Sequence, residues 1–183
     1  RLHSSAGADG DLYINAGTDG AVGGNLSITA TTGNITQGVA LAVGGTSTFV
    51  TSANDATIAL ATDSNAFTGA LLITTNDSGT DTAGDVSIDG GTTGLIMGLS
   101  TIDGDLALRS GAAITDTGVA TVRGTLSATT DAGNSAITLD QLAVDGAFTL
   151  APNGNGAVTV VNDAGLNLAA STMGGTFSGT ATT

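Results

Sequence analysis

Short apolar-x-apolar triplets recur along the chain, and each follows a glycine paired with an aspartate or an asparagine. Glycine with Asp or Asn favours a turn, because these residues tolerate a positive φ at little cost. The two apolar side chains of the triplet then lie on one face of a strand. The pattern predicts many short strands, each beginning at a turn. The copies are Gly10-Asp11-Leu12-Tyr13-Ile14, Gly24-Asn25-Leu26-Ser27-Ile28, Gly84-Asp85-Val86-Ser87-Ile88, Gly104-Asp105-Leu106-Ala107-Leu108 and the shortened Gly33-Asn34-Ile35.

A longer repeat contains these motifs. The stretch beginning at Gly24 aligns with the stretch beginning at Gly104, which predicts repeat units at about residues 24–103 and 104–175, with partial units at both ends. Units of this length with so many short strands are typical of stacked coils of about 20 residues each. We therefore expect residues 1–183 to form one all-β domain, a right-handed parallel β-helix of about nine coils.

Composition supports strands and argues against helices. The chain has 16 Asp residues but no Glu and no Lys, and it contains 29 glycines. Glu and Lys usually cover helix surfaces, whereas Asp, Gly and Thr favour turns and strands. Aromatic residues make up only 3%, so Leu, Ile, Val and Ala must fill the core. These side chains suit the thin layers of a solenoid better than the wide interior of a β-sandwich, the alternative all-β fold.

Charge excludes several classes of partner. The formal net charge is −13, and binding to nucleic acid or to an anionic membrane surface needs clustered Lys and Arg. No apolar run approaches the roughly 18 residues of a membrane span, so we predict no membrane insertion. The chain has no Cys, which excludes disulfides and thiolate metal sites. It begins at Arg1 without Met, and we expect it to be a fragment or a processed piece.

The run GNLSITATTGNITQGVALAVGGTSTFVT and the following ATIALATDSNAFTGALLITT resemble the fibre repeats of filamentous-haemagglutinin-like adhesins. These are large exoproteins that Gram-negative bacteria export by two-partner secretion. The resemblance extends from about Gly10 to Thr182. It implies a right-handed parallel β-helix, export to the bacterial cell surface, and a role in adhesion or biofilm. Two features of the family are missing here, an Asn-Pro-Asn secretion motif and an Arg-Gly-Asp triplet.

Catalytic chemistry has few residues to draw on. The chain has one histidine, His3, and no cysteine, so a nucleophile with an adjacent base is not expected. Most Asp residues stand beside Gly or Asn, where turn formation explains them. Arg109 and Arg123 are the two interior cations, and we expect each to pair with a neighbouring Asp on the outer face. We predict no catalytic residues and no enzyme activity.

Calcium is the one cofactor that the sequence suggests. Asp77, Asp81, Asp85 and Asp89 are spaced by four through the loop that is enlarged in the first repeat unit. Calcium needs several oxygen ligands on a loop flexible enough to converge. The alternative is that these four carboxylates are solvated turn residues, since the stretch matches neither an EF-hand nor a repeated calcium nonapeptide.

The sequence thus favours a structural function, a shaft segment of a secreted or surface-displayed bacterial adhesin or biofilm protein. Host or bacterial cell-surface receptors, or matrix, would be bound by other parts of the parent protein. One alternative is a subunit of an extracellular filament or sheath that associates end to end. A third is a polysaccharide-active β-helix enzyme, which would need an Asp cluster with Arg109 or Arg123 in one groove.

Overall fold

The chain forms an all-β parallel solenoid of about seven turns, as seen in a computed structural model. The structure describes residues 2–6, 10–16, 21–61, 65–76, 79 and 83–182, and within these residues there is no helix. The all-β parallel solenoid predicted from the sequence is confirmed.

Twenty-one strands alternate with short turns in the described part of the chain. They are β1 (Leu2–Ala6), β2 (Leu12–Ala16), β3 (Ala21–Val22), β4 (Leu26–Ala30), β5 (Ile35–Gln37), β6 (Ala42–Val43), β7 (Ser47–Asn54), β8 (Ile58–Leu60), β9 (Ala66–Phe67), β10 (Leu71–Asn76), β11 (Val86–Asp89), β12 (Leu95–Met97), β13 (Ser100–Ile102), β14 (Leu106–Ser110), β15 (Ile114–Asp116), β16 (Ala120–Val122), β17 (Leu126–Thr130), β18 (Ile137–Val144), β19 (Phe148–Ala151), β20 (Val158–Asn162) and β21 (Phe177–Ala181).

The strands form three sheets that run along the solenoid. Sheet A has the order β1-β2-β5-β8-β11-β14-β17-β19, and the short sheet B has the order β3-β6-β9. Sheet C contains the strands that complete each coil, from β4 at one end to β21 at the other. The first three coils pass through A, B and C in turn, whereas from β11 onward the coils pass through A and C alone.

The coils differ in length, and for this reason the predicted number of nine coils is wrong. Equivalent positions in sheet A are 23 residues apart in the first coils. They are 20 residues apart in the later coils that follow β11. The third coil, between β8 and β11, also carries the enlarged loop. Because the first coils use more residues per turn, the chain completes only about seven turns.

Large apolar side chains stack in register to form the core. One column in sheet A runs along Ile35, Ile58, Val86, Leu106, Leu126 and Phe148, which are all at most 1% exposed. Between sheets C and B, Phe49 and Phe67 meet edge to face with ring centroids 6.3 Å apart. Burying each such side chain stabilises the fold by about 1.5–3 kcal/mol.

The two ends of the solenoid are different. At the amino-terminal end, β1 pairs with β2 in antiparallel orientation and covers the edge of sheet A, a feature that the sequence analysis did not predict. At the other end, β21 pairs with β20 on one side, and every residue of β21 is exposed. The antiparallel strand protects one edge, because an unpaired edge can pair with another chain.

Candidate functional site

Four of the five Asp and Asn residues of the short repeat motif bond one coil to the next along sheet A, and Asn25 does so in sheet C, where its Oδ1 accepts the backbone N–H of Thr46 at 3.0 Å. Asp11 Oδ1 accepts a hydrogen bond from the backbone N–H of Asn34 at 2.8 Å. Asn34 Oδ1 in turn accepts the backbone N–H of Thr57 at 2.7 Å. Each side chain therefore adds a bond between coils just before the sheet A strand begins, beside the backbone ladder itself.

The same arrangement recurs in the second half of the chain. Asp85 Oδ1 accepts the backbone N–H of Asp105 at 2.8 Å, and Asp105 Oδ1 accepts that of Thr125 at 2.6 Å. Sequence reasoning gave these residues a role in turns and missed this side-chain ladder. The missing information was the coil register, which sets Asp85, Asp105 and Thr125 directly above one another.

Three kinds of glycine begin these motifs, and one of them, Gly24, has neither a positive φ nor any atom within 4 Å of its Cβ position. Gly10 and Gly84 have φ values of 82° and 85°, in the left-handed region that glycine tolerates. Gly33 and Gly104 are not in this region. A Cβ on Gly104 would lie 2.5 Å from Asp85 Oδ1. At these positions glycine is needed because neighbouring coils approach too closely for any side chain.

The predicted calcium ligands fall partly outside the described residues. Asp77 and Asp81 lie there, so the structure says nothing of them. Asp85 is exposed and makes the coil-to-coil bond given above. Asp89 is buried, and its Oδ1 accepts the backbone N–H of Gly91 at 2.7 Å. Among the described residues no three His, Cys or acidic side chains group as metal ligands. Calcium binding at this loop stays a prediction.

Both interior arginines pair with aspartates of neighbouring coils, as expected. Arg109 Nε lies 2.8 Å from Asp131 Oδ2 and 3.9 Å from Asp89 Oδ2. Arg123 Nη1 lies 3.4 Å from Asp103 Oδ1. The three residues of the Arg109 cluster come from three successive coils. Sequence order hid this proximity, since the bond between Arg109 and Asp131 spans 22 residues.

The Arg109 cluster borders a groove on the outer face of sheet A, which we call the sheet A groove. Two adjoining cavities of about 490 and 410 Å3 share Asp89, Arg109 and Asp131. Its floor consists of small outward side chains from β11, β14 and β17. These floor residues are Ser87, Ala107 and Ser127.

The sheet A groove has the Asp cluster with Arg109 that the polysaccharide-active alternative required. Typical glycosidases use two carboxyl groups, one of which stays protonated so that it can act as the acid. Here the guanidinium of Arg109 forms ion pairs with both Asp89 and Asp131. Hydrogen-bond donors and acceptors thus lie side by side, an arrangement that suits hydroxyl groups of a ligand better than acid catalysis.

A second carboxyl pair lies on sheet C, away from the groove. Partial burial, and then the neighbouring carboxylate of Asp140, raise the pKa of Asp116 above its ordinary value. The backbone N–H of Gln141 opposes this by donating to Asp116 Oδ2 at 2.8 Å. The pair belongs to adjacent coils, and the carboxylate of Asp140 disfavours the charged form of Asp116.

The described residues include four exposed large apolar side chains, two on neighbouring coils and two in the last coil. Leu99 is 68% exposed and Val119 is 43% exposed, and they precede the paired strands β13 and β16. Leu168 and Phe177 are exposed in the last coil. Single apolar residues of this kind are common on soluble surfaces. The described residues contain no helix that could cross a membrane.

Two stretches of the chain match a protein family described as repeats of unknown function (DUF5649). The matches cover residues 6–74 and 83–151, and they end within β10 and at the end of β19. Each therefore spans about three coils. The matched stretches begin and end at different residues from the repeat units predicted at about 24–103 and 104–175. No curated protein and no solved structure matches the chain.

Proposed function

We propose that this chain, which belongs to the DUF5649 family of repeats, is a rigid structural shaft segment of a bacterial adhesin or biofilm protein. The observation that carries the proposal is the unbroken ladder of parallel strands in sheet A from β2 to β19. Backbone bonds and the Asp/Asn side-chain ladder both run along the solenoid axis, so each coil is held by its neighbours.

Bending such a solenoid is costly. A bend would separate coils on one side, breaking backbone hydrogen bonds and exposing the stacked core there. About seven turns at ~4.8 Å each give a rod about 34 Å long from this chain. Repeats stacked in this way contact only their neighbours, so a solenoid can be lengthened by adding repeats without changing the core of the others. A spacer that holds other domains away from a surface needs these properties.

The outer surface fits a shaft that stands among identical shafts. Among the described residues the exposed positions are mainly Thr, Ala, Gly, Asn and Asp, and the net charge of the chain is −13. Like charges on neighbouring shafts repel one another and oppose lateral collapse. The location outside the cell, on the bacterial surface, is part of the proposal and draws support from the adhesin resemblance. Receptors or matrix would contact other parts of the parent protein.

Force spectroscopy tests the shaft directly. The chain would be pulled between its two ends after attachment through added terminal cysteines, which the chain itself lacks. A shaft of stacked coils should resist and then extend in several small steps, as coils detach one after another. A single cooperative rupture at low force would contradict the proposal. Antibody labelling of intact cells that carry the parent protein checks the proposed location, and labelling only after lysis would count against it.

A filament subunit is the second candidate, and the parallel stacking of the coils favours it. Each strand of sheet A from β2 to β19 pairs in parallel with the strand of the next coil. A coil of one copy can pair with a coil of another copy in the same way. Negative-stain microscopy separates the two functions, because long fibres at neutral pH would favour the filament, whereas dispersed short rods would favour the shaft.

A further inference from the structure

We propose that the sheet A groove binds a neutral oligosaccharide through hydrogen bonds to its hydroxyl groups. The shaft proposal rests on the backbone ladder and the inward side chains, whereas this inference rests on outward side chains, so either can fail without the other. Its floor follows Ser87, Ala107 and Ser127, which lie in register on three neighbouring strands. Three strands at ~4.8 Å spacing make a floor about 10 Å long, which is the length of a disaccharide.

The wall of the groove presents donors and acceptors together. The side chain of Arg109 is 58% exposed and that of Asp131 is 42% exposed. A guanidinium carries five N–H donors, and an ionised carboxylate offers only acceptors. Thr129 adds a hydroxyl that can do either. A sugar hydroxyl donates and accepts at once, so this alternation matches a polyhydroxylated ligand.

The cluster is held in place before any ligand arrives. The side chain of Asp89 is only 8% exposed, and the N–H of Gly91 fixes one of its oxygens at 2.7 Å. Beside it the coils approach so closely that a Cβ on Gly111 would lie 2.5 Å from the Cα of Thr92. The backbones of neighbouring coils are therefore in close contact beside Asp89, which leaves this side of the cluster little freedom to move. Fixed polar groups bind a ligand at a smaller cost in entropy.

Other ligand classes fit the groove less well. An extended peptide would need a free strand edge, but β11, β14 and β17 are each paired on both sides. An anionic ligand would meet two carboxylates for one guanidinium, on a chain whose net charge is −13. Among the described lining residues there is no aromatic side chain, and the large apolar residues Ile88 and Leu108 are only 1% and 2% exposed, so they offer an apolar molecule no anchor. A neutral, hydroxyl-rich chain remains.

Saturation-transfer NMR with a panel of neutral disaccharides tests the proposal. The panel would contain maltose, cellobiose, lactose and diacetylchitobiose, with a glucuronate disaccharide as the anionic comparison. Without aromatic stacking, we expect binding of at least one neutral sugar with a Kd on the order of 1 mM. Binding should persist in high salt, whereas a cationic ligand would be released. No signal from any neutral sugar at concentrations on the order of 10 mM would overturn the proposal.

Variants locate the binding site. Arg109→Gln replaces the charged guanidinium and its five N–H donors by a shorter neutral amide, and it should weaken binding about tenfold or more. Arg123→Gln is the matched control, because it removes the other arginine pair between coils and leaves the groove intact. Ser127→Leu keeps all charges but fills the floor, and it should also abolish binding. Circular dichroism checks that each variant is folded. Equal loss with Arg123→Gln or full binding by Ser127→Leu would each overturn the proposal.

Discussion

The side-chain ladder along sheet A makes the sharpest prediction about stability. In Asp105→Ala the carboxylate that accepts the N–H of Thr125 at 2.6 Å is lost. A hydrogen bond to a charged group contributes about 1.5–3 kcal/mol when it is shielded from water. Asp105 is exposed, and water can replace part of the lost bond. We therefore expect the free energy of unfolding to fall by about 1 kcal/mol.

Amide hydrogen exchange is the assay that tests this value at the bond itself. A local loss of about 1 kcal/mol corresponds to about a fivefold faster exchange of the Thr125 amide if the coil opens locally. The melting temperature of the whole chain should fall by about 2–4 °C. Asp105→Asn keeps an acceptor oxygen in the same place and should recover most of the protection.

A control separates the hydrogen bond from the charge. Asp145→Ala removes the same charge from an exposed turn, where none of the described hydrogen bonds uses its carboxylate. We expect this variant to change stability by less than about 0.5 kcal/mol. If Asp105→Asn destabilises the chain as much as Asp105→Ala, or if the Thr125 amide exchanges at its original rate in Asp105→Ala, the ladder does not stabilise the coils as argued.

Three further predictions concern packing and titration. Gly104→Ala forces a methyl group against the neighbouring coil and should lower the free energy of unfolding by about 1–3 kcal/mol, as measured by thermal unfolding. Gly133 has nothing within 4 Å of its Cβ position, so Gly133→Ala should leave stability unchanged. Equal effects of the two substitutions would contradict the argument that neighbouring coils approach closely at Gly104. Phe49→Ala empties a fully buried site and should cost about 3–5 kcal/mol by chemical denaturation, against less than about 0.5 kcal/mol for Leu99→Ala at an exposed site. Because the pKa of Asp116 is raised in the folded chain, its contribution to stability is present below the unfolded value of 3.8 and is lost as pH rises through the folded value. Asp116→Asn should therefore raise the melting temperature at pH 7 and leave it unchanged near pH 3. An equal rise at both pH values would refute the predicted direction of the pKa shift.

Local sequence predicted strands better than it predicted sheets. The motifs at Leu106 and Leu26 both form strands with the expected alternation of buried and exposed residues. Leu106 lies in sheet A, however, and Leu26 lies in sheet C. An apolar-x-apolar triplet specifies only that one side faces a core. The sheet to which a strand belongs depends on the turns at the corners of the coil. Amino-acid composition indicates the geometry of these turns only weakly.

The predicted number of coils was wrong for a related reason. A coil is closed by its stacking on the next coil, so residues can be added at corners without disturbing the stacked strands. The first coils use 23 residues where later ones use 20. An average period taken from the most regular part of the chain therefore overestimates the number of coils. Only the pairing of actual strands fixes the register.

Predicting the sheet A groove from the sequence would have required the same register between coils. Asp89 and Arg109 stand opposite each other on β11 and β14, but in the sequence they look like two unrelated turn and strand residues. With the spacing of 20 residues already established for these coils, their proximity could have been predicted. Asp131 lies beyond the end of β17 and reaches Arg109 from the following turn, which strand spacing alone would not have indicated.

A shaft and a binding groove can coexist in this fold because inward and outward positions do different work. In the row that contains Asp89 and Arg109, the next two strands carry Thr129 and Ala151. The backbone pairing continues unchanged through all four, since outward side chains do not enter the core. A charged cluster can therefore be placed on one stretch of the shaft at little cost to its stability. By the same reasoning, replacing Arg109 should affect ligand binding far more than it affects folding, whereas replacing an inward residue such as Leu108 should do the reverse.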